Sequence, residues 1–248
     1  MCTIVLEFRP GHPWPLLAAA NRDEMVNRPW RGPARHWPDR PDCVAGLDVL
    51  AKGSWLGLND HGLMAAMLNR FASLGPAPGK RSRGELVLEA LDHAEADQAA
   101  QALSQLDPLA YRPFNMVIGD GRSLYWLRHD GERIEARPIA AGFHMLTAHE
   151  LDDRASPRIA AYFDPFRAAV KPDPETGDWG AWTDLLARRR SQGPPGQEDA
   201  ALCIVRDDGF GTVSSALLAL PADPTVKPVW LFCPGRPGEL PYEPVDLG

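Results

Sequence analysis

Two features at the start of the chain could do chemistry. Cys2 follows Met1 directly, and Asn21-Arg22-Asp23-Glu24 lies nineteen residues further on. Cysteine is small enough for the initiator methionine to be trimmed, which would leave Cys2 with a free α-amine. A thiol beside its own α-amine is a self-contained nucleophile and base, because the amine titrates near neutral pH and can take the thiol proton.

The elements that must position these residues can be read from pattern. Residues 2–8 are rich in β-formers, with Cys2, Ile4, Leu6 and Phe8 on one face. Arg9 to Pro15 reads as a turn and Leu16 to Arg22 as a second strand. A hairpin with Phe8 opposite Leu16 would set Cys2 opposite Arg22 and gather Asn21, Arg22 and Asp23 around the thiol and its amine. The same residues also fit an ordinary buried cysteine opening an edge strand.

Asn21-Arg22-Asp23-Glu24 followed by Arg28-Pro29, after Met1-Cys2-Thr3-Ile4, resembles the family named for its NRDE motif, which includes the transport and Golgi organization protein 2 group. That family resembles N-terminal nucleophile (Ntn) hydrolases, near the bile salt hydrolases and penicillin V acylases. Gly53-Ser54-Trp55-Leu56-Gly57-Leu58-Asn59 is similar to a second stretch of the family. Asn59 to Gly62, running on to Leu68-Asn69, resembles the bile salt hydrolase segment that ends in an oxyanion-hole asparagine. Two departures stand out. Ala148 replaces the asparagine of the family's Leu-Ser-Asn, and Val213 replaces the arginine of its Gly-Thr-Arg-Ser-Ser.

The resemblance implies a hydrolase of linear amide C–N bonds. Cys2 would be the nucleophile, Asp23 would orient the α-amine, and Asn69 would meet the oxyanion of the tetrahedral intermediate. Arg22 would bind an anionic substrate or lower the thiol pKa. Asn21 would hold the substrate or the amine, and His149 could stand in for the missing asparagine. Asp23 is then expected to serve the site more than the fold. The alternative is a protein that binds or traffics a small molecule, haem among the candidates, with Cys233-Pro234 resembling the Cys-Pro pair of some haem-responsive sites. A Cys/His hydrolase using His144 or His149 has no support in the spacing.

The rest of the chain bounds these readings. Its 248 residues suit one domain over 1–248 with a substantial core. A net charge of -7 argues against nucleic acid or anionic membrane as a partner and leaves a small-molecule substrate or ligand. The oligomeric state is not legible. Apolar runs such as Leu63–Leu68 are too short to span a bilayer, and Glu7 and Arg9 interrupt any signal-peptide core. Cys2, Cys43, Cys203 and Cys233 lack CxxC or disulfide-scaffold spacing, so a cytoplasmic protein is expected. No metal-ligand spacing occurs, and no cofactor is expected.

Residues 29–42, with four prolines, read as a surface loop. One or two strands are expected over Val44–Asn59 and another over Leu63–Leu68. Helices follow, from a capping box at Ser82-Arg83-Gly84-Glu85 to about His93, and over Ala94–Leu106. Short strands come next, about Phe114–Ile118, Ser123–Leu127, Ile134–Ile139 and Phe143–Ala148. Helices are expected over Ile159–Val170 and Ala181–Arg190, a loop over Gly193–Asp199, and strands over Ala201–Val205, Thr212–Leu220 and Val226–Cys233. This order, with the Ntn resemblance, predicts an α+β four-layer αββα sandwich with two mainly antiparallel sheets.

Overall fold

The computed structural model describes residues 2–189 and 200–248. The chain opens with β1 (Thr3–Phe8), β2 (Leu16–Met25), β3 (Trp30–Ala34), β4 (Cys43–Asp48), β5 (Leu56–Asn59) and β6 (Met64–Asn69). Helices α1 (Gly84–Leu91) and α2 (Ala96–Ser104) precede β7 (Phe114–Gly119), β8 (Leu124–His129), β9 (Ile134–Pro138) and β10 (Gly142–Leu146). Helices α3 (Pro157–Ala168) and α4 (Gly180–Leu186) lead to β11 (Phe210–Leu220), β12 (Val229–Cys233) and β13 (Glu243–Pro244).

The strands form two antiparallel sheets. One runs β10-β1-β2-β11-β12-β13; the other is a meander, β3 to β9 in chain order. Three apolar cores separate four layers, as expected. Ile4, Leu6, Phe8, Leu16 and Ala18 meet Val44, Leu58, Met64 and Leu68 between the sheets. Leu86, Val87, Ala90 and Leu103 of α1 and α2 cover the meander. Ile159, Tyr162, Phe166 and Trp182 of α3 and α4 cover the other sheet, against Val5, Leu17 and Ala19. β1 and β2 are buried on both faces, which is why their sequences are nearly continuous apolar runs.

The hairpin register matches the expectation. Phe8 faces Leu16 and Thr3 faces Asn21, so Cys2 lies level with Arg22. β2, however, runs three residues further, through Asp23 and Glu24 to Met25, because β11 pairs along its other side.

Four expectations need correction. Residues 29–42 are not all loop. Trp30–Ala34 forms the edge strand β3, whose Pro33 falls at a ladder irregularity between Arg31 and Ala34, where no donor is needed. The capping box does not form: Arg83 is the N-cap of α1, without a side-chain cap. Glu85 instead accepts a hydrogen bond from the Tyr111 hydroxyl at 2.7 Å. Ala201–Val205 makes an isolated bridge, Val205 to Gly211, and no ladder, since the Leu202 and Cys203 amides bond the Arg188 carbonyl. Helix α4 stops at Leu186, and the expectations for Arg190 and Gly193–Asp199 fall outside the described residues.

Gly53 shows how tightly the glycine-rich stretch is held. A Cβ there would lie 2.4 Å from the Gly84 carbonyl carbon at the start of α1. Gly53→Ala is therefore expected to cost at least ~2 kcal/mol, because the obstacle is backbone. Denaturant titration checks this, and an unchanged midpoint contradicts it.

Candidate active site between the sheets

Strand alternation divides the Asn21-Arg22-Asp23-Glu24 run between two faces of β2. Asn21 and Asp23 face the helical layer. The Asn21 amide donates to the Leu186 and Leu202 carbonyls, both at 3.0 Å, and so ties β2 to the end of α4 and to the segment before β11. Asp23 is fully buried and pairs with Arg158 at 2.8 Å. It also accepts from the Thr212 hydroxyl at 2.7 Å, while Arg158 donates to the Thr3 hydroxyl at 2.8 Å. This ionic knot lies directly behind the Cys2 strand.

Arg22 faces the other way, into the space between the sheets. Its guanidinium stacks over the Trp55 ring, 4.1 Å from the centroid. One nitrogen, Nη2, lies 4.0 Å from Asp48, which Arg28 holds at 2.7 Å. The other, Nη1, is buried with no hydrogen-bond partner. Burial lowers the Arg22 pKa, opposed by the Cys2 charge. Trp55 can occupy this place because residue 46 is glycine: a Cβ there would come within 2.4 Å of the indole ring. Trp30 packs edge-on against both Trp55 and Phe232, giving the wall an aromatic frame.

Cys2 and Arg22 line one cavity with Trp55, Leu68 and Ser214. Its volume is about 30 Å³, enough for a small polar group, and it is open toward solvent. The Cys2 sulfur lies 3.7 Å from the Asp23 carbonyl oxygen. Burial, and after it the Asp23 charge, push the thiol pKa up. Arg83, at the α1 N-cap, feels the Cys2 charge, although burial, and then Arg112, lower its own pKa to about 10.

The remaining expected site residues lie further off. Asn69 ends β6 beside Leu68 but is not part of the cavity lining. His149 also lies outside the lining, with its ring 3.7 Å from Asp153. His144 is engaged by Asp152 at 2.7 Å and by the Ala140 carbonyl. Cys233 is buried, and its thiol points at the Gly235 and Leu240 carbonyls. Among the described residues no cluster of ligating side chains could hold a metal.

Sequence reasoning gave no site role to Ser214, Arg158 or Asn115. Ser214 faces Arg22 across the β2–β11 pairing, just past a ladder irregularity between Thr212 and Ser214. Val213 occupies that irregularity, outside the cavity lining. Asn115 donates to the Thr147 and His149 carbonyls and so fixes the turn that carries Ala148. Its signal was a lone polar residue inside the buried run Phe114–Ile118.

The sequence model of the family described as Transport and Golgi organisation 2 matches residues 1–223. The Transport and Golgi organization 2 homolog of Mus musculus is 32% identical over 127 residues, 48% of this chain and 45% of that protein. The chain spans about half the length of the curated relatives it matches. Among solved structures it is similar to the Caenorhabditis elegans ortholog of N-acylethanolamine-hydrolyzing acid amidase, with a TM-score of 0.56 and 14% identity, over 91% of this chain and 94% of that one. It is similar as well to a mutant of the conjugated bile acid hydrolase from Clostridium perfringens, with a TM-score of 0.56 and 12% identity, over 99% and 92% of the two chains. At these identities the likeness is one of fold, and the fold is that of the Ntn hydrolases.

The Asp23–Arg158 pair makes Asp23 a fold residue as well as a candidate site residue, which corrects the expectation from sequence. Asp23→Asn leaves a buried guanidinium without its counter-charge, so a loss of about 3–5 kcal/mol is expected. Equilibrium unfolding checks this; a loss below ~1 kcal/mol would show that the pair is dispensable.

Proposed function

The chain belongs to the Transport and Golgi organisation 2 family, and we propose that it is an N-terminal-cysteine hydrolase of a linear amide. The observation that carries the reading is the position of Cys2: at the start of a central strand, in the wall of an inter-sheet cavity, level with Arg22. The fold it shares with an acid amidase and a bile acid hydrolase supports the reading.

In this mechanism Met1 is removed and the Cys2 α-amine takes the thiol proton. The amine titrates near neutral pH and sits on the same residue as the thiol, so it is placed to take the proton. Sulfur attacks the amide carbonyl carbon. The tetrahedral intermediate collapses as the C–N bond breaks, and the ammonium passes its proton to the leaving amine. Water, deprotonated by the same amine, then attacks the thioester, releasing the acid and restoring the thiol. Asp23 stands behind the strand and, with its charge fixed by Arg158, orients the amine. Asn69, the residue that the family resemblance offers to the oxyanion, ends β6 one residue past Leu68 and outside the cavity lining. Asn21, a residue of the cavity lining, holds the strand through two backbone carbonyls bonded by its Nδ2 group, and its unpartnered Oδ1 is left for the substrate or the amine. The substrate is a small molecule, and the protein works in the cytoplasm, where its cysteines stay reduced.

The test is a panel of acyl amides assayed with purified protein and with Cys2→Ala. Release of amine by the wild type, and none above the uncatalysed rate by Cys2→Ala, is expected. Equal release by both removes Cys2 from the reaction.

A further inference from the structure

Cys2, Arg22 and Ser214 stand in one row across three adjacent strands, β1, β2 and β11. Neighbouring strands lie roughly 5 Å apart, so the row runs roughly 10 Å from the thiol to the serine, with the arginine between. All three side chains line the same cavity. Arg22 is 6% exposed and Ser214 1%. Arg22 Nη1 and Ser214 Oγ are both buried with no hydrogen-bond partner. Buried donors of this kind are normally satisfied, and each is costly to leave unmade. Oδ1 of Asn21, another lining residue, is likewise without a partner, but it is an acceptor; the nearby hydroxyls are engaged, Ser215 with the Ala20 carbonyl and Tyr242, and Thr212 with Asp23. Asp48 lies 4.0 Å from Nη2, and the Glu24 and Asp48 charges act on the guanidinium, but neither bonds Nη1. Ile4, Leu56, Ala66 and Ala216 supply apolar wall, and the other polar lining residues, Thr3, Asn21 and Ser215, already bond within the fold.

We propose that Arg22 and Ser214 form a carboxylate-binding subsite beside Cys2. Resting on the amide-hydrolase reading, this makes the substrate an amide that carries a carboxylate within a few bonds of its scissile carbonyl. A carboxylate offers only acceptors, matches one guanidinium N–H and one hydroxyl, and fills a space too small for a ring. Trp55 presses on the guanidinium and fixes its plane, so the arginine is oriented before the anion arrives. Ser214 acts as a specificity residue: it contacts the anionic group and not the scissile bond.

The subsite can be read at Cys2 without any turnover. Carboxyethyl, propyl and aminoethyl methanethiosulfonate transfer groups of similar length to a thiol and differ in charge. Their rates at Cys2, followed by peptide mass, are compared with their rates at free cysteine in the same buffer. The carboxyethyl-to-propyl ratio is expected to be about tenfold higher at Cys2, as one charge-assisted hydrogen bond would give, with aminoethyl the slowest of the three. Ser214→Ala should lower the ratio several-fold, Ser214→Thr should keep it, and Arg22→Gln should bring it down to that of free cysteine. Ser214→Ala should also fold with an unchanged or higher Tm, since it removes a hydroxyl that bonds nothing in the fold. A ratio at Cys2 equal to that of free cysteine, or one unmoved by Ser214→Ala, overturns the subsite. A Tm lowered by Ser214→Ala overturns it too, whether or not Arg22→Gln folds. Selective labelling with an inert amide panel keeps the subsite and removes the hydrolase reading. Unselective labelling with turnover of neutral amides does the reverse.

Discussion

The pairing register of β1, β2 and β11 is the constraint on which the rest of the site depends. Side chains on a strand alternate between its faces, so a slip of one residue would exchange every side chain of the Asn21–Glu24 run. In the observed register Asn21 and Asp23 reach the helical layer, and Arg22 reaches the cavity. The run is thus two devices in one sequence. Its odd members bolt the strand to α3, α4 and β11; Arg22 serves the space in front of Cys2. The ladder irregularity between Thr212 and Ser214 completes the division, since it lets Thr212 bond Asp23 on one face while Ser214 meets the cavity on the other.

Charge around Cys2 follows from this division. Arg22 and Arg83 lie within electrostatic reach of the thiol, but burial and the Asp23 charge prevail and hold its pKa up. A base at bonding distance is required, and a Cys2 α-amine would be one by covalent structure. His144 is held by Asp152 and Ala140, and His149 stands outside the cavity, so neither occupies that role.

Much of the fold was legible because it rests on period and punctuation. The two-residue period of β1 and β2, with the Phe8–Leu16 turn, was enough to set Cys2 level with Arg22. The errors fell where tertiary partners override local preference. Trp30–Ala34 looked like loop because of its prolines, yet an edge strand tolerates proline where no donor is needed. Ser82 looked like a cap, yet Glu85 is drawn to Tyr111, more than twenty residues away. Asp23 looked like a site residue alone because its partner, Arg158, lies far along the chain on a helix. Ser214 stood in a stretch resembling the family's Gly-Thr-Arg-Ser-Ser but drew no role of its own, since a serine in a strand is ordinary until its neighbours are known. Only the cross-strand pairing with Arg22 and the shared cavity single it out.

The central claim is that a Cys2 freed of Met1 forms a covalent acyl intermediate. Mass spectrometry of protein quenched during exposure to an acyl amide tests it most directly. The account predicts a peptide that begins at Cys2 and carries one acyl group on sulfur, lost on treatment with hydroxylamine and absent in Cys2→Ala. A protein that retains Met1 in its native cell, or that hydrolyses the amide with Cys2 unmodified throughout, would contradict it.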